Sequence, residues 1–330
     1  MCSIGHPDEI PALEAELRAR PDSVDTRLRL LEAHAADAQL LGSARRIELI
    51  QWLVRNRPED LACRTPFCAV DPSRAPEGFQ TVKAAWAGAI ANAPENVAIL
   101  RGAAAFLCAE DYGAAKDLLQ RAVQLAPQDP NAWLDLGRLC REPEERLRAL
   151  VRARDLGSDS PNLLSWMAFA AIEAGDLDAA ESFGHELLER VEARRPKVGD
   201  ALHWRERGAQ LWKRARDVAG SDPGAHELVH AISGSSHDVH TGNTALGLVA
   251  CRRGARDEAL GHLVASFDMT PDFRLSAYGP EPSLLRELCR AGRCVAVLAV
   301  LKNHEDLWEG EVTVRWRRWI ERVERGEPPD

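Results

Sequence analysis

Aromatic side chains are scarce in this chain, 5% of 330 residues with two tyrosines, a share that suits helical hairpins packed through Ala and Leu. Missing too is any apolar run approaching the roughly 20 residues that span a bilayer, and Met1 to Ile10 lacks the hydrophobic core of a signal peptide. No membrane association is therefore expected, and the expected compartment is the cytoplasm. Positive charge is in deficit, with 42 Lys and Arg against 51 Asp and Glu and a net charge of −9, which argues against general affinity for nucleic acid because phosphate binding needs a cationic face. One segment departs from that balance: Arg194 to Val218 holds eight basic and three acidic residues, with Trp204 and Trp212 among them. Its arginines read as a solvated helix face rather than a groove for an anionic strand. There is no phosphate-cradling loop, since Gly220-x3-Gly224 is not followed by Lys-Ser or Lys-Thr, and Ser233-Gly234-Ser235-Ser236 reads as a flexible turn rather than a nucleophile. No cofactor is expected. The eight cysteines do not read as a disulfide framework in a reducing compartment. Cys108, Cys140 and Cys251 fall at helix positions where a thiol acts as a small apolar residue, whereas Cys63 with Cys68 and Cys289 with Cys294, each pair separated by four intervening residues, are a weak metal pattern.

What is abundant is a spacing. Pro94, Pro127 and Pro161 close stretches whose small and large apolar residues recur in register, and a period near 34 means stacked helical hairpins. The clearest copy runs Trp133-x2-Leu136-Gly137-x2-Cys140, Ala149-x3-Ala153, Pro161. Another places Ile99, Gly102, Ala103 and Phe106 before Ala115-x3-Leu119, Ala122 and Pro127, and a third runs Leu246-Gly247-x2-Ala250, Gly254, Ala259-x3-Leu263, Pro271. Small residues at the eighth and twentieth positions let two antiparallel helices approach, while bulky positions fill the gap between hairpins. Gly175, Gly254 and Gly292 fall where a first helix must stop, a place that favours a left-handed residue. Fainter copies occupy 161–193, where Gly184 replaces an expected large residue, 24–58 and 283–301. Trp316, Trp319, Ile320 and Val323 form one apolar stripe, as a capping helix should.

These copies resemble the tetratricopeptide repeat (TPR), with Cys140 and Ala153 in place of its two aromatics. The order of elements through Pro76-Glu77-Gly78-Phe79, His240-x-Gly242-Asn243-Thr244 and Tyr278-Gly279-Pro280 is similar to a group of uncharacterised bacterial TPR proteins. The expectation is an all-α, TPR-like superhelix of antiparallel hairpins without a sheet. Its layout would be N-terminal hairpins over 1–75, repeats over 76–194, an inserted basic and His-rich helical segment over 195–238, and a last repeat with capping helices over 239–330. The resemblance implies a non-enzymatic scaffold for a protein or peptide partner. By the same resemblance, the first helices would line a groove displaying Asn131, Leu134, Arg138, Arg141, Asn162, Ser165, Phe169, Thr244 and Arg252.

One motif points to another class. His226-Glu227-Leu228-Val229-His230 is a literal H-E-x-x-H, which on a helix sets two imidazoles one turn apart for zinc, with the Glu beside a metal-bound water. It resembles the zinc metalloprotease signature, with His237, His240 or Glu258 as conceivable third ligands. The longer form of that signature needs a third His where Ser236 stands, and Ser221-Asp222-Pro223 reads as the start of a short helix. Zinc binding or metallohydrolysis is thus the alternative, and the leading expectation is that no three of His226, His230, His237, His240 and Glu258 converge.

Overall fold

The computed structural model describes residues 7–37, 39–194, 223–268, 275, 279–308 and 310–330, except for the side chains of 66, 194 and 223–235. Among the described residues every regular element is helical and none is a strand. The fold is all-α, as expected. Compact packing divides the chain into Met1–Ser158 and Asp159–Asp330.

In the first unit, α1 (Ile10–Ala19) and α2 (Val24–Ala35) precede α3 (Ala44–Asn56) and α4 (Pro76–Asn92). Two full hairpins follow: α5 (Val97–Leu107) with α6 (Tyr112–Leu125), then α7 (Pro130–Leu139) with α8 (Pro143–Asp155). Their starts are written in the sequence. Asn96 Oδ1 accepts the Ala98 and Ile99 N–H groups at 3.0 and 3.3 Å, Asp111 Oδ1 accepts that of Ala114 at 3.1 Å, and Asp129 caps Asn131 at 2.9 Å, as N-cap residues do. The predicted small positions are the crossing points: Ala103, Ala115 and Ala149 are buried, and a Cβ on Gly137 would stand 2.7 Å from Leu150 Cδ2.

Two short 3-10 turns, Leu61–Arg64 and Pro66–Cys68, link α3 to α4, a link without helical period that the repeat pattern does not announce. Buried Arg46 of α3 holds it, donating to the carbonyls of Leu41 at 2.8 Å, Phe67 at 2.8 Å and Ala69 at 2.6 Å.

In the second unit, α9 (Leu163–Ala174) pairs with α10 (Leu177–Arg194), and α11 (Pro223–Arg252) with α12 (Arg256–Ser266); α13 (Ser283–Arg290), α14 (Cys294–Asn303) and α15 (Gly310–Glu324) follow. The glycines expected to end first helices do so in the left-handed region, Gly175 at φ 77°, Gly254 at 82° and Gly292 at 81°. Gly184, which replaced an expected large residue, marks a close crossing: a Cβ there would meet Leu246 at 2.9 Å, and one on facing Gly242 would lie 3.1 Å from the Gly184 carbonyl. A large side chain would force α10 and α11 apart. The stripe on α15 is buried as expected, with Trp316 at 1% and Trp319 at 2% exposure. Trp316 meets Phe267 and Trp308 at ring distances of 5.4 and 5.1 Å and donates its indole N–H to Leu301 O at 2.8 Å.

Two expectations need correction. The helix from Pro223 is not short but runs 30 residues to Arg252, and Ser233-Gly234-Ser235-Ser236 lies inside it rather than in a turn. Thr241 to Ala250 of that helix are all buried, and packing of this kind overrides the weak local preference of Ser and Gly. Cys108 is exposed, not buried, because it caps the end of α5; Cys140 is buried and Cys251 half-buried.

Candidate functional site

The expected partner-binding row falls in both units. On α7, Asn131 and Arg138 are exposed and Leu134 is buried. Arg141 lies just beyond the helix, exposed, with its guanidinium 4.2 Å from the centroid of the Tyr112 ring and its backbone N–H donating to the Tyr112 hydroxyl oxygen at 3.2 Å. That hydroxyl donates to Glu142 at 3.1 Å, and Lys116 reaches Glu142 and Glu145 at 3.1 and 2.5 Å. Together with a backbone N–H, these donors hold the Glu142 carboxyl down at about 2. A cation stacked on an aromatic ring thus stands beside a fixed polar network.

One period of 34 residues earlier, the positions of Asn131, Leu134, Arg138 and Arg141 are held on α5 by Val97, Leu100, Ala104 and Leu107. The last three are buried at 0%, 1% and 7% exposure, and the Leu61–Arg64 turn packs against α5. Arg64 of that turn lies 3.8 Å from Asp135 of α7, which Arg101 also holds at 2.7 Å. The row is therefore apolar and covered on α5 but charged and open on α7. Sequence reasoning missed this cover because the turn carries no repeat signal, although the change from Ala104 and Leu107 to Arg138 and Arg141 was readable.

In the second unit, Asn162 and Phe169 are half-buried, while Ser165 and Thr244 are buried at 4% and 1% exposure. The Ser165 hydroxyl finds no hydrogen-bond partner among the described residues. Arg252 is exposed, but its guanidinium donates to the Ile172 carbonyl near the end of α9, an arrangement that satisfies a helix terminus.

The backbones of His226, Glu227 and His230 lie on α11, but their side chains are outside the described residues. His237 is half-buried and Glu258 exposed. His240 is buried at 2% exposure with both ring nitrogens engaged. Nδ1 donates to Ser266 O at 3.3 Å and Nε2 accepts the Glu281 N–H at 3.0 Å. As a candidate zinc ligand it is thus already used by the fold, and burial, its dominant perturbation, pushes its pKa down to about 4. Among the described residues no group of three His, Cys, Asp or Glu side chains is placed to hold a metal ion.

A cleft of about 60 Å³ lies over α11, between Glu181 and His185 of α10 and Glu258 and His262 of α12. Arg253 holds Glu181 at 3.0 Å and Asn243 holds His262 at 3.1 Å; burial first, and the neighbouring His185 as well, lower the pKa of His262. Small-molecule sites run to roughly 300–1,000 Å³, so this cleft fits little more than an ion or water. Most of the basic segment lies in 195–222, outside the described residues, and no described helix is long and apolar enough to cross a membrane.

No family model and no curated protein matches the chain. Solved structures do. The APC/C hetero-tetramer Cut9-Hcn1 is similar at 17% identity and a TM-score of 0.34, over 86% of this chain and 52% of that one. The P58(IPK) TPR domain is similar at 13% identity and a TM-score of 0.28, over 97% and 92%. This chain spans about half the length of the Cut9-Hcn1 chain it matches. At such scores neither likeness says what this chain binds.

Proposed function

We propose that this chain is a non-enzymatic, TPR-like helical-repeat scaffold that holds a protein or peptide partner, with Arg138, Arg141 and Asn131 as the contact row of the first unit. One observation carries the reading. Two equivalent positions change from buried Ala104 and Leu107 to exposed Arg138 and Arg141, so the covered row on α5 gives way to charge on α7. Arginine and a ring stacked beneath it are the kind of surface that anchors binding partners. In the second unit Asn162, Phe169 and Arg252 are the members of the proposed row that reach the surface. The reading takes the protein as cytoplasmic and related to the uncharacterised bacterial TPR proteins that its sequence resembles, with no cofactor, membrane or nucleic acid among its partners. Affinity capture followed by Arg138→Glu with Arg141→Glu tests it. Loss of the captured partner from the doubly substituted chain is the expected result, and retention of every partner removes the assignment of the row.

A further inference from the structure

Two cysteine pairs share one spacing in this chain, and their surroundings differ. Cys63 and Cys68 are both buried, each thiol donating to a backbone carbonyl, Cys63 Sγ to Arg57 O and Cys68 Sγ to Ala62 O, both at 3.3 Å. Burial pushes these thiols up to about 12 and about 11, and it pushes sheltered Cys289 up as well, so what separates the two pairs is access. Neither Cys63 nor Cys68 is open to solvent, the condition of inert structural cysteines.

Cys289 and Cys294 stand instead on either side of a tight helical turn. Cys289 is in the last turn of α13, and Cys294 is the first residue of α14. Gly292 at φ 81° reverses the chain between them. The turn is fixed by the Gly292 N–H to Cys289 O at 3.0 Å and the Arg293 N–H to Leu288 O at 2.9 Å. Cys294 Sγ lies 3.6 Å from the Cys289 carbonyl oxygen, which sets the Cys294 side chain against the last turn of α13, the turn that carries Cys289. Their exposure is unequal: Cys289 is 7% exposed, while Cys294 is half-buried and open to a small oxidant. An accessible thiol facing a sheltered one across a single turn is the arrangement in which oxidation of the first is resolved by the second.

We propose that Cys289 and Cys294 are a reversible modification site, closing a disulfide across the α13–α14 turn when the chain meets a peroxide. In the first step the Cys294 sulfur attacks hydrogen peroxide and the O–O bond breaks. Sulfur keeps one oxygen as a sulfenic acid, and the other leaves as water. In the second step the Cys289 sulfur attacks the Cys294 sulfur, an S–S bond forms, and the sulfenic oxygen leaves as a second water with the Cys289 proton. Two thiols have lost two electrons, and one peroxide has gained them. A dithiol returns the pair to its starting state by exchange. The disulfide would tie the end of α13 to the start of α14 without involving the row on α7.

The test treats the folded full-length chain with hydrogen peroxide, quenches, alkylates free thiols in denaturant and digests with trypsin without reductant. The expected product is a cross-linked peptide pair, residues 287–290 joined to 294–302 with two hydrogens lost. It should vanish on dithiothreitol treatment and in Cys294→Ser, while Cys63 and Cys68 remain free and alkylated. Two results overturn the proposal: Cys294 recovered as sulfinic or sulfonic acid with no linked peptide, or Cys63 and Cys68 linked as fast as Cys289 and Cys294. The wild-type digest decides between these outcomes even if the serine variant folds poorly.

Discussion

Two buried polar side chains show what single residues contribute here. Arg46 is 3% exposed, and its guanidinium serves the Leu41 carbonyl ahead of α3 and two carbonyls of the irregular link, those of Phe67 and Ala69. A planar fork can reach acceptors in two directions, which a lysine ammonium on its flexible stem cannot reproduce. Arg46→Lys should therefore lower stability by about 2 kcal/mol, read as a lower midpoint of chemical denaturation. His240 carries a pH dependence. Its folded pKa is depressed to about 4 from 6.5, so the unfolded chain takes up a proton first as pH falls. Its contribution is intact above about pH 6.5 and is lost progressively down to about pH 4, on the order of 3 kcal/mol in all. Denaturant unfolding at pH 7 and 4.5 should show that loss, with a shallower dependence in His240→Asn. Buried His34, whose pKa burial also lowers, adds to the same slope and leaves a residual pH dependence in that variant.

Helices and turns were legible to different degrees. The hairpins α5–α6 and α7–α8 could be read because Ala103, Ala115, Gly137 and Ala149 sit at crossings where only small residues fit, and because Asn96, Asp111 and Asp129 mark the starts. The capping helix was equally plain from Trp316, Trp319, Ile320 and Val323. Trp316→Ala should cost about 3–5 kcal/mol, since it empties a site beside Phe267 and leaves Leu301 O without its indole donor. Thermal unfolding would register the loss. The Leu61–Arg64 turn was invisible, having no period to find, and so was the cover it lays on α5. The 30-residue α11 was hidden by Ser233-Gly234-Ser235-Ser236, whose local preference opposes the helix that packing imposes. Within the candidate row, periodicity identified a face but not what lies on it. Leu134, Ser165 and Thr244 share the row with Arg138 and are buried, because the neighbours that cover them are distant in sequence.

At the scale of the whole molecule, the two units share one construction, paired helices closed by small residues, and the proposed activity is binding rather than chemistry. The metal alternative makes a separate prediction: elemental analysis of the purified chain should give less than one zinc per chain. Stoichiometric zinc that disappears in His226→Ala or His230→Ala would restore the metallohydrolase reading. The scaffold reading depends on where the partner sits, and a photo-cross-linking residue locates it most directly. Placed at position 138, on the exposed row of α7, it should trap the captured partner, whereas the same residue at exposed position 148 of α8 should not. A partner trapped from 148 and never from 138 would contradict the account.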